Sequence, residues 1–532
     1  MAEVDRTRAS RAVAFAACVL AGLSNEVSGG ALSLSIRDAG AELSASAPAM
    51  QLVLTLSKLL FGAFMLVGGV LGDTYGRRRV LVAGCLAIAL ASVVGALSAS
   101  VGQLAVARAL DGIANAAVGP LALVIVISLF PAGQGARAIG LFLGLSALGI
   151  ALGPLLAGTV IERFGWRAGL ASPAVVVLLG GLGVGLFAPE SRGLERRRLD
   201  GLGALGVSVA LLALVFAVVG AASEGWAHPR VLQALTVGTG ALVAFIWWER
   251  RVADPLLDLA LFRSRALNAA LVSGTLTALV IGGALVPLLY FFQSVQGVGP
   301  VPALLRVVPM VVAAAACSPF MGGLMARYTP RVVIVAGLVL MAAGCWILAF
   351  LRPETSYAVV LSALVLIGMG NIAVVTPVTA IVLGSVREER AGSAAALNNA
   401  AIQVGGALGA ATLTSVFLDA ARTDYAARLA PTGLSLDRIR EITRAWREAV
   451  RASASAGARI LPDGLQDEFE EAFRAAFTVG VARVFAVAAL VALAAAVVAW
   501  FGVGSSVPAE AKAAAATAGL RADGKDPDRR YA

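Results

Sequence analysis

The sequence predicts an all-α polytopic membrane protein of about fourteen membrane-crossing helices, and three observations carry that expectation. Hydrophobic residues fill 59% of its 532 positions, charged residues only 14%, and the mean hydropathy is +0.87. Such a chain cannot wrap itself in a polar exterior. Apolar windows of about 20 residues recur along most of its length. The short loops alternate in charge, with about nineteen Arg or Lys on one side against about five on the other, which assigns the basic side to the cytoplasm. The net charge of +10 is therefore an orientation signal, and nucleic acid is not an expected partner.

In chain order the windows cover 12–34, 50–72, 79–99, 104–129, 138–161, 168–188, 201–222, 231–249, 267–294, 302–325, 332–351, 357–386, 391–418 and 477–502. Arg6, Arg8 and Arg11 precede the first, which lacks a small-x-small cleavage site and so reads as an uncleaved helix, with both termini cytoplasmic. This divides the chain into an N-terminal six-helix bundle (1–188), a linker with two extra helices (189–265), a C-terminal six-helix bundle (266–502) and a polar tail (503–532). The basic linker Pro189–Arg198 is expected to be a solvated crossover, and the alanine-rich tail to be disordered. A polar stretch at 419–475 is expected outside. Within it Ile439, Ile442, Trp446 and Val450 recur at helical spacing, as in an amphipathic helix on the membrane surface or over the outer mouth, or equally in a plain connecting helix. Cys18, Cys85, Cys317 and Cys345 are scattered singly, and the lone His228 has no companion donors, so neither a disulfide frame nor a metal site is expected.

Between the second and third windows lies Gly69-Val70-Leu71-Gly72-Asp73-Thr74-Tyr75-Gly76-Arg77-Arg78-Arg79. Asp73 falls at the C-terminal end of a helix, where its charge opposes the macrodipole, so it needs another helix's N-terminus or an arginine as partner. Gly69, Gly72 and Gly76 permit close approach and a sharp reversal. Residues 323–331 echo this motif between the tenth and eleventh windows, with Arg327 in place of Asp73. Gly368–Val374 similarly mirrors Gly112–Val118. Such a long-range internal repeat is a transporter signature. Two six-helix halves follow, with the seventh and eighth windows as an insert.

The fourth window opens on Arg108-Ala109-Leu110-Asp111-Gly112. An arginine within a span costs several kcal/mol unless paired or hydrated, so Arg108 and Asp111 are read either as a functional pair or as a local helix staple. The fifth contains Gly149, Gly153, Pro154, Ala157 and Gly158, a small-residue stripe with a helix-bending proline. Glu26 in the first window and Lys58 in the second both lie about 12 Å below the outer surface, at 1.5 Å per residue, and are expected to be able to meet. Glu26 is the expected proton carrier, and a static Glu26–Lys58 bridge the alternative. Tyr290, Gln293, Asn371, Asn398, Asn399 and Gln403 are candidate cavity linings; Arg306 is expected to snorkel to the outer interface.

The Gly69–Arg79 motif resembles the loop signature of the major facilitator superfamily, with Thr74 where that family has a basic residue. Arg108–Gly112 resembles its Arg-x-x-Gln-Gly pattern with Asp111 for glutamine, and Gly149–Gly158 resembles its antiporter signature. The first-span aspartate of the family is replaced by Ser24, two positions before Glu26. Along nearly the whole chain the sequence resembles the fourteen-span drug:H+ antiporter branch of EmrB/QacA type. That resemblance implies a two-bundle fold and proton-driven export of amphipathic small molecules by alternating access, from a bacterial inner membrane. A monomer is expected, without a cofactor and driven by the proton gradient. A dedicated metabolite exporter, a proton-linked importer and a non-transporting receptor or lipid-organising protein remain alternative readings. Catalysis is not expected: Lys58, Lys512 and Lys525 are the only lysines, and none lies in a phosphate-loop context.

Overall fold

Hydropathy dictates helices here because lipid leaves backbone groups no partner but their own chain. The computed structural model describes residues 2–504 except 46, 132–133, 192–199, 226, 253–254, 258, 388–389 and 430–465. Among these, thirteen helical stretches are long and apolar enough to cross a membrane. The first span is α1 (Ala2–Gly22) running into α2 (Ser24–Glu42), followed by α3 (Ala47–Tyr75), α4 (Arg77–Ala96) and α5 (Val101–Leu129). A 53-residue stretch, Gly135–Phe187, comprises α6 (Gly135–Ala147) and α7 (Gly149–Phe187). Within α7 the chain reverses at Gly165, whose φ of 80° and ψ of 174° are non-helical. Glycine reaches that conformation without the Cβ penalty other residues carry. The fifth and sixth predicted windows therefore correspond to the two arms of this one stretch.

The insert is α8 (Gly201–Glu224) and α9 (Pro229–Glu249). The second half begins with α10 (Arg265–Tyr290), which ends in a π turn over Phe291–Val295, closed by the Gln296 N–H on the Phe291 carbonyl. Then come α11 (Pro300–Leu305), α12 (Val308–Cys317), α13 (Met321–Arg327), α14 (Pro330–Leu348), α15 (Tyr357–Gly384), α16 (Ala391–Leu429) and α17 (Gln466–Gly502). Both α16 and α17 reach into the stretch expected as an outer loop. Ala421 and Tyr425, one turn apart and buried, keep an apolar stripe that packs with Phe417 and Phe477. The amphipathic pattern at 439–450 and the tail beyond 504 lie outside the described residues.

Two lobes result. One core joins α1, α4, α5, α6 and α7 around Leu81, Ile88, Leu121 and Phe142. The other joins α10, α12, α14 to α17 around Phe291, Phe292, Met341 and Phe485. The lobes touch where α3 meets α16 and where α6 meets α12 and α13. Helix α8 lies against both α3 and α16, so the insert covers one side of the seam between the halves.

Candidate transport site

The first lobe buries a polar cluster built by three helices. Helix α5 supplies Arg108, Asp111 and Asn115, all on one face at (i, i+3) and (i, i+4) spacing. Asp111 is 2% and Arg108 8% exposed. Arg108 Nη1 lies 3.1 Å from Asp111 Oδ2 and donates to the Ser28 hydroxyl at 2.6 Å. Ser28 donates in turn to Asp111 Oδ1 at 3.0 Å, Ser57 donates to Oδ2 at 2.7 Å, and Asn115 Nδ2 donates to Oδ1 at 3.2 Å. The Ser24 hydroxyl donates to Asn115 Oδ1 at 2.7 Å. A buried carboxylate is tolerable only with such a full set of donors.

Small residues make these contacts reachable. A Cβ on Gly112 would stand 2.3 Å from the Ser57 carbonyl oxygen, so only glycine lets α3 and α5 approach this closely. A Cβ on Gly153 would lie 2.8 Å from the Glu26 carbonyl oxygen, and one on Gly149 would lie 3.2 Å from Glu26 Cβ. Pro154 packs in the same way beneath Gly30. The Gly149, Gly153 and Pro154 stripe thus seats α2 on α7 and fixes where Ser24 and Ser28 point, while Gly158 lies farther along beside Leu34.

Glu26 and Lys58 occupy the expected helices but do not meet. Lys58 is exposed, and Glu26, half-buried against Gly149, accepts from Asn25 Nδ2 at 3.0 Å. No salt bridge joins the two. Their depth follows from sequence position, but their direction around the helix does not: successive residues turn by about 100°, so Ser57 faces Asp111 while Lys58 turns away. The residues the sequence reading missed are Ser28 and Ser57; Asn115 enters it only inside the mirrored segment Gly112–Val118, and Ser24 only as the replacement for the family's aspartate. One signal was available, since Ser24 and Ser28 sit four apart and so share the helix face that meets α5.

At the cytoplasmic end Asp73 finds both partners its position demands. Its carboxylate accepts from Arg77 Nε at 3.1 Å and Nη2 at 3.0 Å, and from the backbone N–H groups of Gly392 at 3.1 Å and Ser393 at 3.0 Å. These N–H groups belong to the first turn of α16 in the opposite half, where the helix dipole favours an anion. Gly69 and Gly392 are in backbone contact beside it, and Gly72 packs under Leu121. Gly76, with φ of 108°, turns the chain into α4. Across the pseudo-repeat, Gly322 of α13 packs on Arg137 of α6, and Gly140 on Ser318. The contacts of Asp73 and Gly69 with the start of α16, and of Arg137 with Gly322, lie at the cytoplasmic ends, so the structure is closed there.

The expected solvated linker is partly docked. Glu190 accepts from the Arg78 backbone N–H at 3.1 Å and lies 3.6 Å from the side chains of both Arg78 and Arg79, while the Arg77 N–H donates to the Ser191 carbonyl. The N–H groups at the N-terminus of α4 and its arginines need an acceptor, and Glu190 supplies it.

Of the candidate lining residues, Asn398 is buried and donates to Thr379 Oγ1 at 3.1 Å, which ties α16 to α15. Asn399 donates to the Ala395 carbonyl of its own helix. Tyr290, Gln293, Asn371 and Gln403 are half-buried within the second half. Arg306 does not snorkel freely. It donates to Gln296 Oε1 at 2.6 Å, stacks over Phe292 and Tyr357, and its carbonyl accepts from the Tyr357 hydroxyl at 3.0 Å.

Two packed helical lobes, one of which buries an acid–base pair, fit a secondary transporter. The family model described as Major Facilitator Superfamily matches residues 14–410, and the chain belongs to that superfamily. It is a multi-pass transporter of the bacterial cytoplasmic membrane, not an enzyme. Among its relatives, puromycin resistance protein pur8 of Streptomyces alboniger is 36% identical over 70% of this chain and 75% of its own. Multidrug resistance protein Stp of Mycobacterium tuberculosis is 33% identical over 69% and 68%. The tetracenomycin C resistance and export protein of Streptomyces glaucescens is 30% identical over 86% of each. In fold the chain is similar to the human organic anion transporter MFSD10, with a TM-score of 0.58 and 14% identity over 93% of this chain and 99% of that one. It is equally similar to the proton:xylose symporter XylE, at 0.58 and 14% over 95% and 99%.

Proposed function

We propose that this chain exports amphipathic small molecules in exchange for protons, as a fourteen-span antiporter of the EmrB/QacA type. The observation that carries the reading is the Arg108–Asp111 pair, buried in one lobe and held by Ser28 and Ser57. A proton arriving at Asp111 cancels its charge and weakens the hold on Arg108 and on the α2 and α3 hydroxyls. The packing of α2 and α3 on α5 then differs between the two protonation states, which is what couples a proton to a rocking equilibrium. Glu26, at similar depth but outside this network, is a second candidate carrier. Alternation also needs a breakable contact between the lobes, and the Asp73 link to α16 supplies one.

The drug specificity rests on relatives that carry resistance to puromycin or to several drugs. A dedicated metabolite exporter is the second reading, favoured by relatives named for export of tetracenomycin C and of cephamycin. The test is efflux from liposomes under an imposed pH gradient, across a panel of lipophilic cations, zwitterions and acids. Several chemically unrelated substrates moving outward support the first reading; one compound alone supports the second. No movement of any would contradict both.

A further inference from the structure

Arg108 presents a donor that none of the contacts above uses. Its Nε is buried and has no hydrogen-bond partner in the protein. Arg108 also lines a small void, together with Ser28, Ser92, Gly95, Leu104 and Asp111, with a volume of about 10 Å³, enough for a single water. The void is on the outer side of Asp111, because Gly95 closes the outer end of α4 and Leu104 opens α5. It is inside the first lobe, between α2, α4, α5 and α7, away from the seam between the halves.

We infer that this void is a water site, and that protons reach Asp111 through it from the outer face, by a route separate from the path of the exported molecule. This rests on the assignment of Asp111 as the proton carrier. The polar groups are suited to the task. Arg108 Nε–H can donate to the water oxygen. The Ser92 hydroxyl, which donates to the Ile88 carbonyl at 2.9 Å, and the Ser28 hydroxyl, which donates to Asp111 and receives from Arg108, both keep a lone pair free to accept. A proton handed to the water by a hydronium on its outer side displaces one of the water's own protons to Ser28 Oγ as Ser28's proton moves to Asp111 Oδ1. At the water and at Ser28 one O–H bond forms and one breaks, at Asp111 one forms, at the outer donor one breaks, and the water is left neutral. The charged groups facing Asp111 are few. Among the described residues Arg108 is the one cation in contact, α2 and α3 present Ser24, Ser28 and Ser57, and α4 and α7 present Ser92 and the apolar Leu170. Glu26 packs on Gly149 and Lys58 is exposed.

Filling the void tests the route without touching Asp111 or Arg108. A Cβ at residue 95 would meet Ala107 Cβ at 3.5 Å and Leu104 at 3.8 Å, ordinary contacts, so Gly95→Ala is accommodated and Gly95→Val occupies the void more fully. Purified protein in liposomes is assayed with ethidium for efflux driven by a pH gradient, and for ethidium counterflow without one. The route predicts driven efflux slowed at least about tenfold in Gly95→Val and less in Gly95→Ala, with counterflow within about twofold of wild type. Unchanged driven efflux in both variants overturns it. If Gly95→Val loses both activities through misfolding, Gly95→Ala decides: unchanged driven efflux overturns the route, and selective slowing supports it. The two assignments fail separately. Driven efflux that survives Asp111→Asn removes the carrier itself, whereas a silent Gly95→Val beside an inactive Asp111→Asn removes only the route.

Discussion

Asp73 and Ser393, 320 positions apart, are joined by two hydrogen bonds across the seam between the lobes: the Ser393 backbone N–H donates at 3.0 Å and its hydroxyl at 3.2 Å to the same carboxylate oxygen. The carboxylate therefore caps a helix of the other half while held by Arg77 in its own. Charge-assisted hydrogen bonds of this kind contribute about 1.5–3 kcal/mol each.

The closed cytoplasmic end should depend on that charge. Asp73→Asn keeps the shape but loses the anion facing the α16 dipole, a change of about 1–2 kcal/mol. We expect the population to shift toward the inward-open form by about tenfold, read as distance distributions between spin labels on the cytoplasmic ends of α3 and α16. Distances identical to wild type would contradict the gate assignment.

Close backbone packing at Gly112 should be essential to the polar cluster. Gly112→Ala sets a methyl against the Ser57 carbonyl, so α3 must retreat and the Ser57 bond to Asp111 must lengthen. Overpacking of this kind costs about 1–3 kcal/mol. The melting temperature in detergent should fall and proton-driven efflux should fall with it, while an unchanged melting curve would show that α3 can adjust freely.

At the outer face, Glu42 of the first half latches the reversal at Gly165. Hydrogen bonds from Trp166 Nε1 at 2.6 Å and Arg167 Nη2 at 2.8 Å hold its carboxyl below the usual carboxylate range. Folding lowers this pKa, so the latch stabilises fully above the ordinary carboxylate range and loses its effect as pH falls through the folded value. Melting temperature measured against pH should therefore drop more in acid for wild type than for Glu42→Gln. The difference should be small, because Glu42 is half exposed. Parallel curves would exclude the latch.

Much of this architecture was legible because bilayer thickness turns hydropathy directly into helices. Twelve of the fourteen predicted windows each fall on one helical stretch, the fifth and sixth share Gly135–Phe187, and the demand of Asp73 for an arginine or a helix N-terminus is met by both. The helix carrying each of Glu26, Lys58 and Arg108 was legible too. Rotation about the helix axis was not. It is set by which small residues let which backbones touch, so Ser28 and Ser57 reach Asp111 while Glu26 packs on Gly149 and Lys58 is left exposed. Glu190 was hidden for a related reason. Its partner is a helix N-terminus more than 100 residues earlier, and a loop's charge does not say what it docks on.

The central claim is that Asp111 carries the coupling proton. It is tested most directly by substrate-induced proton release from purified protein in detergent, recorded with a pH indicator, for wild type, Asp111→Asn and Glu26→Gln. The account predicts release from wild type and from Glu26→Gln, and none from Asp111→Asn although it still binds substrate. Release persisting in Asp111→Asn and lost in Glu26→Gln would move the coupling site to Glu26 and contradict it.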